Sequence, residues 1–277
     1  MAYLRNLLYD RGWLPVYRVG IPVVSIGNLS VGGTGKTPLV ILFAQQFKHR
    51  KVAILARGYR AENGQLNDEM RVIQRHVPEA SLYQDGDRVA LARQAEADGA
   101  ELILLDDGFQ HRRLHRDFDC VVVRPEDFSD RYLPQGLLRD SPKQLRRAHA
   151  LFSYAPVAQA IQLGVQPLVS EDLRGKAVGL FCGIGHPERF KKTVAGLGAF
   201  VLAELYIGDH EPIGERRLRS FYEKCKPLGI RYLVCTEKDW VKLPVTELPI
   251  LCVSIQARVV ANLDAWKNLL QKIEKRL

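Results

Sequence analysis

The feature that most constrains the fold is the stretch SIGNLSVGGTGKTPLV at residues 25–40. An apolar run at 21–27 leads into a glycine-rich turn, and Lys36 and Thr37 then open a helix-like pattern. In such a strand–loop–helix unit, backbone N–H groups surround phosphate oxygens, the lysine pairs with the β- and γ-phosphates, and the hydroxyl reaches Mg²⁺. We therefore predict a loop that binds a nucleoside triphosphate, formed by Ser30, Val31, Gly32, Gly33, Thr34, Gly35, Lys36 and Thr37. Ser30 departs from the usual motif, which has glycine at that position.

Apolar runs alternate with helix-like patterns along the chain, and this alternation predicts the fold class. Continuous apolar runs are typical of strands that are covered on both faces of a parallel sheet. The runs predicted as strands are 21–27, 51–59, 101–108, 117–125, 150–155, 176–185, 231–239 and 249–255. The patterns predicted as helices are 37–50, 87–100, 187–198 and 262–277. We predict an α/β fold with a P-loop NTPase-like, mostly parallel sheet, helices on both of its faces, and a smaller C-terminal α/β lobe.

The alternation falls into two blocks, which predict two domains within the 277 residues. The join is expected between about residues 155 and 175, where the pattern is less regular. We place a P-loop core domain at 1–160 and a smaller α/β domain at 161–277, with the last helix free to pack back on the core.

The charge of the chain favours an anionic partner. Its 40 Lys and Arg residues against 31 Asp and Glu residues give a net charge of +9. Nucleic acid, an anionic membrane surface and a phosphorylated substrate all fit such a charge. No basic strand with interleaved aromatic residues is found, so we expect no nucleic-acid partner. The five cysteines are scattered without a C-x-x-C pair, which predicts reduced thiols in the cytosol.

The sequence predicts no segment that spans a membrane, so that membrane contact is expected to be peripheral. No run of about 18 apolar residues occurs, so we predict no spanning helix, and the N-terminus lacks the pattern of a signal peptide. Tyr3, Leu4, Leu7 and Leu8 lie on one face of a predicted helix. That helix could pack on the core or lie in a membrane interface.

The type of P-loop protein is narrowed by two absent signals. Val31 stands where partitioning ATPases have a lysine before the glycine pair, and TEKD at 236–239 does not have the spacing of the guanine-binding N-K-x-D. Both observations favour an ATP-using transferase. The alternative is a nucleotide-switch ATPase or GTPase that acts on a protein partner.

A second group of polar residues follows the strand at 101–108. Asp106 and Asp107 end an apolar run, an arrangement in which a carboxylate holds Mg²⁺. His111 and His115 are four residues apart, but no Glu follows His111, so zinc is disfavoured.

Together these motifs resemble the tetraacyldisaccharide 4'-kinase family, the lipid A kinases of Gram-negative bacteria. The segments that carry the resemblance are NLLYDRG, PVVSIGNLSVGGTGKTP, ILARGYR, NDEM, LDDGFQHRRLHRD, LPQGLLRD, FCGIGHPERF, GDH and TEKDWVKL, which come in that family's order. The family's own loop has Ser or Thr where Ser30 stands. The resemblance implies ATP-dependent phosphorylation of the 4'-hydroxyl of a tetraacylated glucosamine disaccharide 1-phosphate, which forms lipid IVA.

The resemblance also implies cofactors and surroundings. It implies ATP and Mg²⁺, the lipid disaccharide 1-phosphate as substrate, and peripheral contact with an anionic membrane surface. The expected location is the cytoplasmic face of the bacterial inner membrane, or the cytosol, and the chain is expected to be a monomer.

Residue roles follow from the same resemblance. The catalytic positions are Lys36, Asp87 as general base and His210 as the support of that base. The positions that bind the metal are Thr37, Asp106, Asp107 and Gln110. The positions near the lipid are Arg57 and His111. A sugar hydroxyl is a poor nucleophile, so a carboxylate that takes its proton is chemically reasonable. Simpler interpretations stay open: Asp87 as an acid at a helix N-terminus, Asp209–His210 as a loop pair, and Arg57 as a donor to strand-end carbonyls.

Overall fold

The computed structural model describes residues 2–58, 65–208, 211 and 213–277. The chain forms two compact units, one of Met1–Val165 with Ala257–Leu277 and the other of Gln166–Gln256. The closing helix belongs to the first of these units.

The first unit contains most of the elements. Its helices are α1 (Ala2–Asp10), α2 (Lys36–Gln46), α3 (Asp68–His76), α4 (Arg88–Ala97) and α8 (Leu263–Glu274). Its strands are β1 (Val23–Asn28), β2 (Val52–Ala56), β3 (Ser81–Gln84), β4 (Leu102–Asp106), β5 (Phe118–Val122) and β6 (Ala150–Ser153). Two more strands, β7 (Ile161–Leu168) and β11 (Ile250–Ala261), extend across the boundaries of the units.

Strand order in the first unit is β3-β2-β4-β1-β5-β6-β7, and the described pairs among these strands are parallel. Ile26 of β1 lies in register with Asp106 of β4 and with Cys120 of β5. The end of β1, where the glycine-rich loop begins, therefore lies beside the end of β4. This register brings the two predicted groups of polar residues to one edge of the sheet.

Helices cover both faces of this sheet. On one face, Val89 and Ala92 of α4 join a buried cluster with Ala53, Ile103 and Leu105. Residues between these along the strands point to the opposite face, because successive side chains alternate. Phe43 of α2, Phe152 of β6 and Trp266 of α8 form an aromatic cluster with ring centroids 5.0 to 5.9 Å apart. The predicted fold class is confirmed.

The second unit is a smaller α/β structure. It contains α5 (Pro187–Gly196), α6 (Glu215–Cys225), α7 (Glu237–Trp240), β8 (Ala177–Cys182), β9 (Phe200–Tyr206) and β10 (Tyr232–Thr236). Its strand order is β11-β10-β8-β9 with parallel pairing. The run predicted as a strand at 231–239 ends early, because the side chain of Thr236 accepts from the Asp239 N–H and caps α7.

Among the described residues, six of these helices and strands were not predicted from the sequence: α3, α6, α7, β3, β7 and β9. Strand β9 alternates between exposed and half-buried residues, so it lacks the continuous apolar run that marked the other strands. No helix in the described part of the chain is long and apolar enough to cross a membrane.

Candidate active site

The predicted phosphate-binding loop connects β1 to α2. Gly32 and Gly35 have φ of 98° and 85°, a left-handed conformation that glycine adopts without strain. A Cβ atom on Gly35 would lie 2.3 Å from the ring of Tyr154, so only glycine fits there. The Tyr154 hydroxyl donates to the Gly35 carbonyl oxygen at 2.9 Å. Tyr154 therefore fixes the last turn of the loop, a role that the sequence did not indicate.

Ser30 replaces the usual glycine and is held by hydrogen bonds. Its buried hydroxyl accepts from Nη2 of Arg124 at 2.8 Å. Asn28 Nδ2 donates to the Ser30 carbonyl oxygen at 2.8 Å and to Thr34 Oγ1 at 2.9 Å. The loop is thus held in shape by protein side chains at its beginning, where a glycine would provide no hydroxyl to bind.

Lys36 joins the loop to the acidic pair. Its Nζ lies 3.5 Å from Oδ1 of Asp107. Arg139 contacts the same carboxylate in a bidentate pair, at 2.6 and 2.7 Å, and also donates to Oδ1 of Asn28. Because Arg139 connects the end of β1 with the end of β4, it fixes the spacing between them. Arg139 lies in LPQGLLRD, one of the segments that carry the family resemblance, but no role was predicted for it.

The two adjacent aspartates have opposite electrostatic environments. Burial, with the charge of Glu69 nearby, raises the pKa of Asp106 to about 7, against the opposing effect of Lys36. Burial also acts on Asp107, but the hydrogen bonds from Arg139 and the charges of Lys36, Arg139 and Arg88 outweigh it. They hold the pKa of Asp107 well below its usual range. Asp107 is therefore already neutralised by protein cations, whereas Asp106 is not.

Asp106 also has unused hydrogen-bonding capacity. Its Oδ1 is buried and has no hydrogen-bond partner among the described residues. A buried carboxylate oxygen without a partner is costly, so such an atom is expected to meet a ligand. Among the residues that the structure describes, there is no group of three or more His, Cys, Asp or Glu side chains that could bind a metal ion.

Asp87 is the N-cap of α4. Its Oδ1 accepts from the N–H groups of Val89 and Ala90 at 3.1 and 3.3 Å, and its Oδ2 lies 3.6 Å from Nη1 of Arg113. The hydrogen bond from Ala90, the first of several contributions, lowers the pKa of Asp87, although desolvation opposes it. Asp87 is thus an ionised, oriented carboxylate, and the interpretation as a helix-terminal acid describes its local contacts.

The residue after Asp87 reaches the acidic pair. Arg88 is buried, and its Nη1 donates to the backbone carbonyl oxygen of Asp107 at 3.0 Å. The start of α4 is thereby tied to the end of β4. No sequence pattern pointed to this contact, which links the helix that Asp87 caps to the strand that ends in the acidic pair.

Gln110 and His111 follow the acidic pair. Gln110 Nε2 donates to the carbonyl oxygen of Asn28 at 2.8 Å, which ties this segment to the end of β1. Gln110 Oε1 and His111 Nε2 are buried with no hydrogen-bond partner among the described residues. Burial and the neighbouring charges of Arg88, Arg116 and Arg113 lower the pKa of His111 to about 4. His111 is therefore neutral at physiological pH.

For the remaining predicted site residues, the structure gives their position and exposure. Val31 and Thr37 are half-buried in the loop and at the start of α2, and Gly33 is exposed. Arg57 is exposed just after β2. Burial lowers the pKa of Arg88, and the positive charge of Arg57 adds to that effect. His210 lies outside the described residues. The structure thus brings Lys36, Asp106, Asp107 and Gln110 together at the end of β1, with Asp87 attached through Arg88.

A family model described as Tetraacyldisaccharide-1-P 4'-kinase (LpxK) matches residues 1–275. The chain belongs to the tetraacyldisaccharide 4'-kinase family. The tetraacyldisaccharide 4'-kinase of Chlamydia muridarum is 34% identical, over 94% of this chain and 85% of that relative. The enzyme of that name from Anaeromyxobacter dehalogenans strain 2CP-C is 36% identical, over 87% of this chain and 78% of the relative.

A solved member of the tetraacyldisaccharide 4'-kinase family has the same fold. The "apo" form of LpxK from Aquifex aeolicus in complex with ATP matches with a TM-score of 0.81 and 27% sequence identity. The match covers 98% of this chain and 94% of that one. These findings confirm the predicted family and the predicted phosphotransferase activity of a lipid A 4'-kinase, and they do not favour the nucleotide-switch alternative.

Proposed function

We propose that this chain transfers the γ-phosphoryl group of ATP to the 4'-hydroxyl of a tetraacylated glucosamine disaccharide 1-phosphate through the site at the ends of β1 and β4. The observation that carries the proposal is the contact of Lys36 with Asp107 at 3.5 Å, which joins the glycine-rich loop to the acidic pair. Phosphoryl transfer depends mainly on positioning and on neutralisation of charge, and these residues supply both. The Aquifex aeolicus relative was crystallised with ATP, which supports ATP as the donor.

The residues fit Mg²⁺. In a P-loop site the metal takes one hydroxyl, one or two carboxylates, phosphate oxygens and water, so a cluster of three acids is not needed. Thr37 and Asp106 are the groups that we assign to it, because Asp106 Oδ1 is buried without a partner among the described residues. Asp107 and Gln110 would orient this arrangement, since both already contact other protein groups. When bound, the metal neutralises charge on the transferred phosphoryl group.

We assign the general base to Asp87. The lowered pKa of Asp87 keeps its carboxylate ionised at neutral pH, so it is able to accept the hydroxyl proton. The hydrogen bonds from Val89 and Ala90 fix its orientation, and the next residue, Arg88, ties the start of α4 to the end of β4. His210 remains our candidate for its support, and Arg57 and His111 remain candidates for contacts with the lipid.

We further propose peripheral attachment to an anionic membrane surface at the cytoplasmic face of the inner membrane. The net charge of +9 favours such a surface. In the N-terminal segment, Leu4 and Trp13 are exposed beside Arg5 and Arg11, a mixture of apolar and basic side chains that suits a membrane interface.

The test is transfer of labelled phosphate from ATP to the detergent-dispersed lipid, with wild type compared with Asp87→Asn and Asp87→Ser. Both replacements keep an oxygen that can cap α4, so they remove the base while preserving the helix terminus. We expect kcat to fall at least about a hundredfold in both, because general-base catalysis contributes about 10²–10⁴-fold. ATP binding should be unchanged.

Asp85→Asn is the matched control, because Asp85 lies in the same exposed turn and its Oδ1 accepts from the Asp87 N–H. It should keep wild-type activity to within about threefold, the context-dependent spread expected of a surface substitution. Full activity of both Asp87 variants would show that Asp87 serves only as a cap. ATP hydrolysis by wild type without a lipid product would contradict the kinase function itself.

A further inference from the structure

The segment after β5 forms a tightly hydrogen-bonded turn over residues 128–138, which we call the 128–138 loop. Leu133 N–H donates to the Leu138 carbonyl oxygen and Leu138 N–H to that of Arg131, both at 3.0 Å. The Asp130 carboxylate accepts from the N–H groups of Arg131 and Leu137, at 2.7 and 3.0 Å. A Cβ atom on Gly136 would lie 2.3 Å from the Arg131 carbonyl oxygen, so the turn requires glycine. The backbone of this loop is therefore fixed by its own contacts.

This fixed loop exposes large apolar side chains. Phe128, Tyr132, Leu133 and Leu137 have exposed fractions of 50%, 53%, 50% and 46%. Single exposed apolar residues are normal on a protein surface, but a contiguous group of them marks an interaction site. Four within ten residues, on a backbone that holds them outward, indicate a surface that is covered when the protein works.

The loop is attached directly to the active site. Val31 N–H of the phosphate-binding loop donates to the Leu137 carbonyl oxygen at 2.8 Å, and Ser30 forms an isolated antiparallel bridge with Leu138. The next residue along the chain is Arg139, which binds Asp107. The apolar side chains thus begin beside the residues that we assign to the phosphoryl donor.

The same region contacts the N-terminal helix. Asn6 of α1 donates through Nδ2 to Oδ1 of Asp140, at 2.8 Å. Arg131 in the loop is exposed, and its positive charge suits an anionic amphiphile. Apolar and basic groups are therefore combined on one short stretch next to the catalytic centre.

We propose that the 128–138 loop binds acyl chains of the lipid substrate. The inference rests on the proposed function, in which the 4'-hydroxyl must reach the γ-phosphate at the end of β1. The acyl chains are attached to the same disaccharide, so they must leave the site across the surface that borders it. The bordering surface built from Phe128, Tyr132, Leu133 and Leu137 is apolar and rigid, as burial of hydrocarbon chains requires.

The test compares two substrates in one detergent system: the tetraacylated disaccharide 1-phosphate, and the same disaccharide 1-phosphate without acyl chains. The second is measured as a substrate or, where its turnover is below detection, as a competitive inhibitor. The variant is L133N/L137N, and the conservative variant is L133M/L137M. Leu228→Asn is the matched control, because Leu228 is 49% exposed and lies in a short turn before β10, in the second unit.

We expect L133N/L137N to raise KM for the tetraacylated substrate on the order of tenfold, because the contacts of two leucine side chains with the acyl chains are lost. The kcat, ATP binding and the affinity for the acyl-free disaccharide should stay unchanged, and L133M/L137M and Leu228→Asn should resemble wild type. An equal loss for the acyl-free disaccharide would overturn the inference, because the loop would then act on active-site geometry.

Two further results would also overturn it. One is an unchanged KM together with loss of binding to substrate-free vesicles of phosphatidylethanolamine and phosphatidylglycerol, which would assign the loop to the bilayer. The other is an equal rise in KM for Leu228→Asn. Absence of lipid phosphorylation by wild type would contradict the proposed function. It is distinguishable from the outcomes above, because in each of those the wild type is active.

Discussion

Each unit of the molecule has a buried aspartate near the end of a parallel strand, and the two residues are treated differently by their surroundings. In the second unit, Asp239 accepts from Gly183 N–H at 3.1 Å and from Thr236 Oγ1 at 2.6 Å, and Lys242 Nζ lies 3.2 Å away. In the first unit, Asp106 keeps one buried oxygen without a partner among the described residues. The protein supplies hydrogen-bond partners to both oxygens of Asp239, whereas one oxygen of Asp106 is available to a ligand.

Whether a buried carboxylate has partners within the protein distinguishes a structural aspartate from a functional one better than the sequence does. Both residues follow apolar runs, and both stand in segments that carried the family resemblance. Removal of one partner from a satisfied buried ion pair is destabilising, because the other charge is left buried without compensation. A buried carboxylate with a raised pKa costs stability and is retained where a ligand needs it.

Replacement of Asp106 by Asn should give the largest effect on activity. We expect kcat/KM to fall at least about a thousandfold, because a neutral amide cannot balance the charge of the metal and phosphates. Stability in the absence of nucleotide should be equal or higher, since a buried, unpaired carboxylate is removed. Kinase assays and urea unfolding of the same preparations measure the two quantities. Near-normal activity would remove Asp106 from the metal site.

Replacement of Asp239 by Asn should give the opposite result. The amide nitrogen cannot accept, and the charge beside Lys242 is lost, so we expect a loss of about 3 kcal/mol in the free energy of unfolding. The kcat of the folded fraction should change by less than about fivefold, since Asp239 has no assigned contact with reacting groups. Asp172→Asn, an exposed acid of the same unit that pairs with Arg174, is the control and should not change stability measurably. A large loss of kcat with normal stability would show that Asp239 is functional too.

The pH dependence of stability should distinguish the carboxylate from the nearby histidine. The pKa of Asp106 is raised from 3.8 to about 7, so between these values the folded protein holds a proton that the unfolded chain has released. Its contribution to stability therefore falls as pH rises through that window. The pKa of His111 is lowered from 6.5 to about 4, so there the unfolded chain holds the extra proton, and stability rises with pH.

Single variants should expose these opposing effects. Between pH 4 and 7, Asp106→Asn should gain stability relative to wild type, by roughly 2 kcal/mol or more, because each unit of pKa difference corresponds to about 1.4 kcal/mol. His111→Gln should lose stability relative to wild type between pH 4 and 6.5. Urea unfolding without nucleotide or metal, at intervals of half a pH unit, measures both. A flat difference for Asp106→Asn would mean that its carboxyl titrates as in the unfolded chain.

The sequence was sufficient for features that contiguous residues determine. The phosphate-binding loop needs only a strand, a glycine turn and a helix start in order, and the acidic pair ends a neighbouring buried run. The sequence did not predict contacts between residues that are far apart along the chain. Arg139 and Asn28, which form a hydrogen bond, are 111 positions apart, and Tyr154 and Gly35 are 119 positions apart. No local periodicity records such a contact, because it depends on which strands become neighbours.

The missed strands have a related cause. The run in β7 is interrupted by Gly164 and Pro167, and β9 alternates because only one of its faces is covered. Asp87 shows a further limit: its two interpretations, cap and base, are compatible, since the hydrogen bonds of the cap orient the carboxylate. Sequence patterns can rank such alternatives, but only measured activity of capping-competent variants can separate them.

The smallest expected effect concerns Tyr154, which supports the loop as Arg139 supports the acidic pair. Tyr154→Phe keeps the ring against Gly35 and removes only the hydrogen bond to its carbonyl oxygen. One such bond contributes about 1 kcal/mol, so we expect the Kd for ATP to rise about fivefold with kcat nearly unchanged. Tyr83→Phe is the control, since its hydroxyl donates to Asp98 at the surface. An unchanged Kd would mean that glycine geometry alone holds the loop. A rise would extend the active site to Tyr154, which directly follows β6 and for which no role was predicted from the sequence.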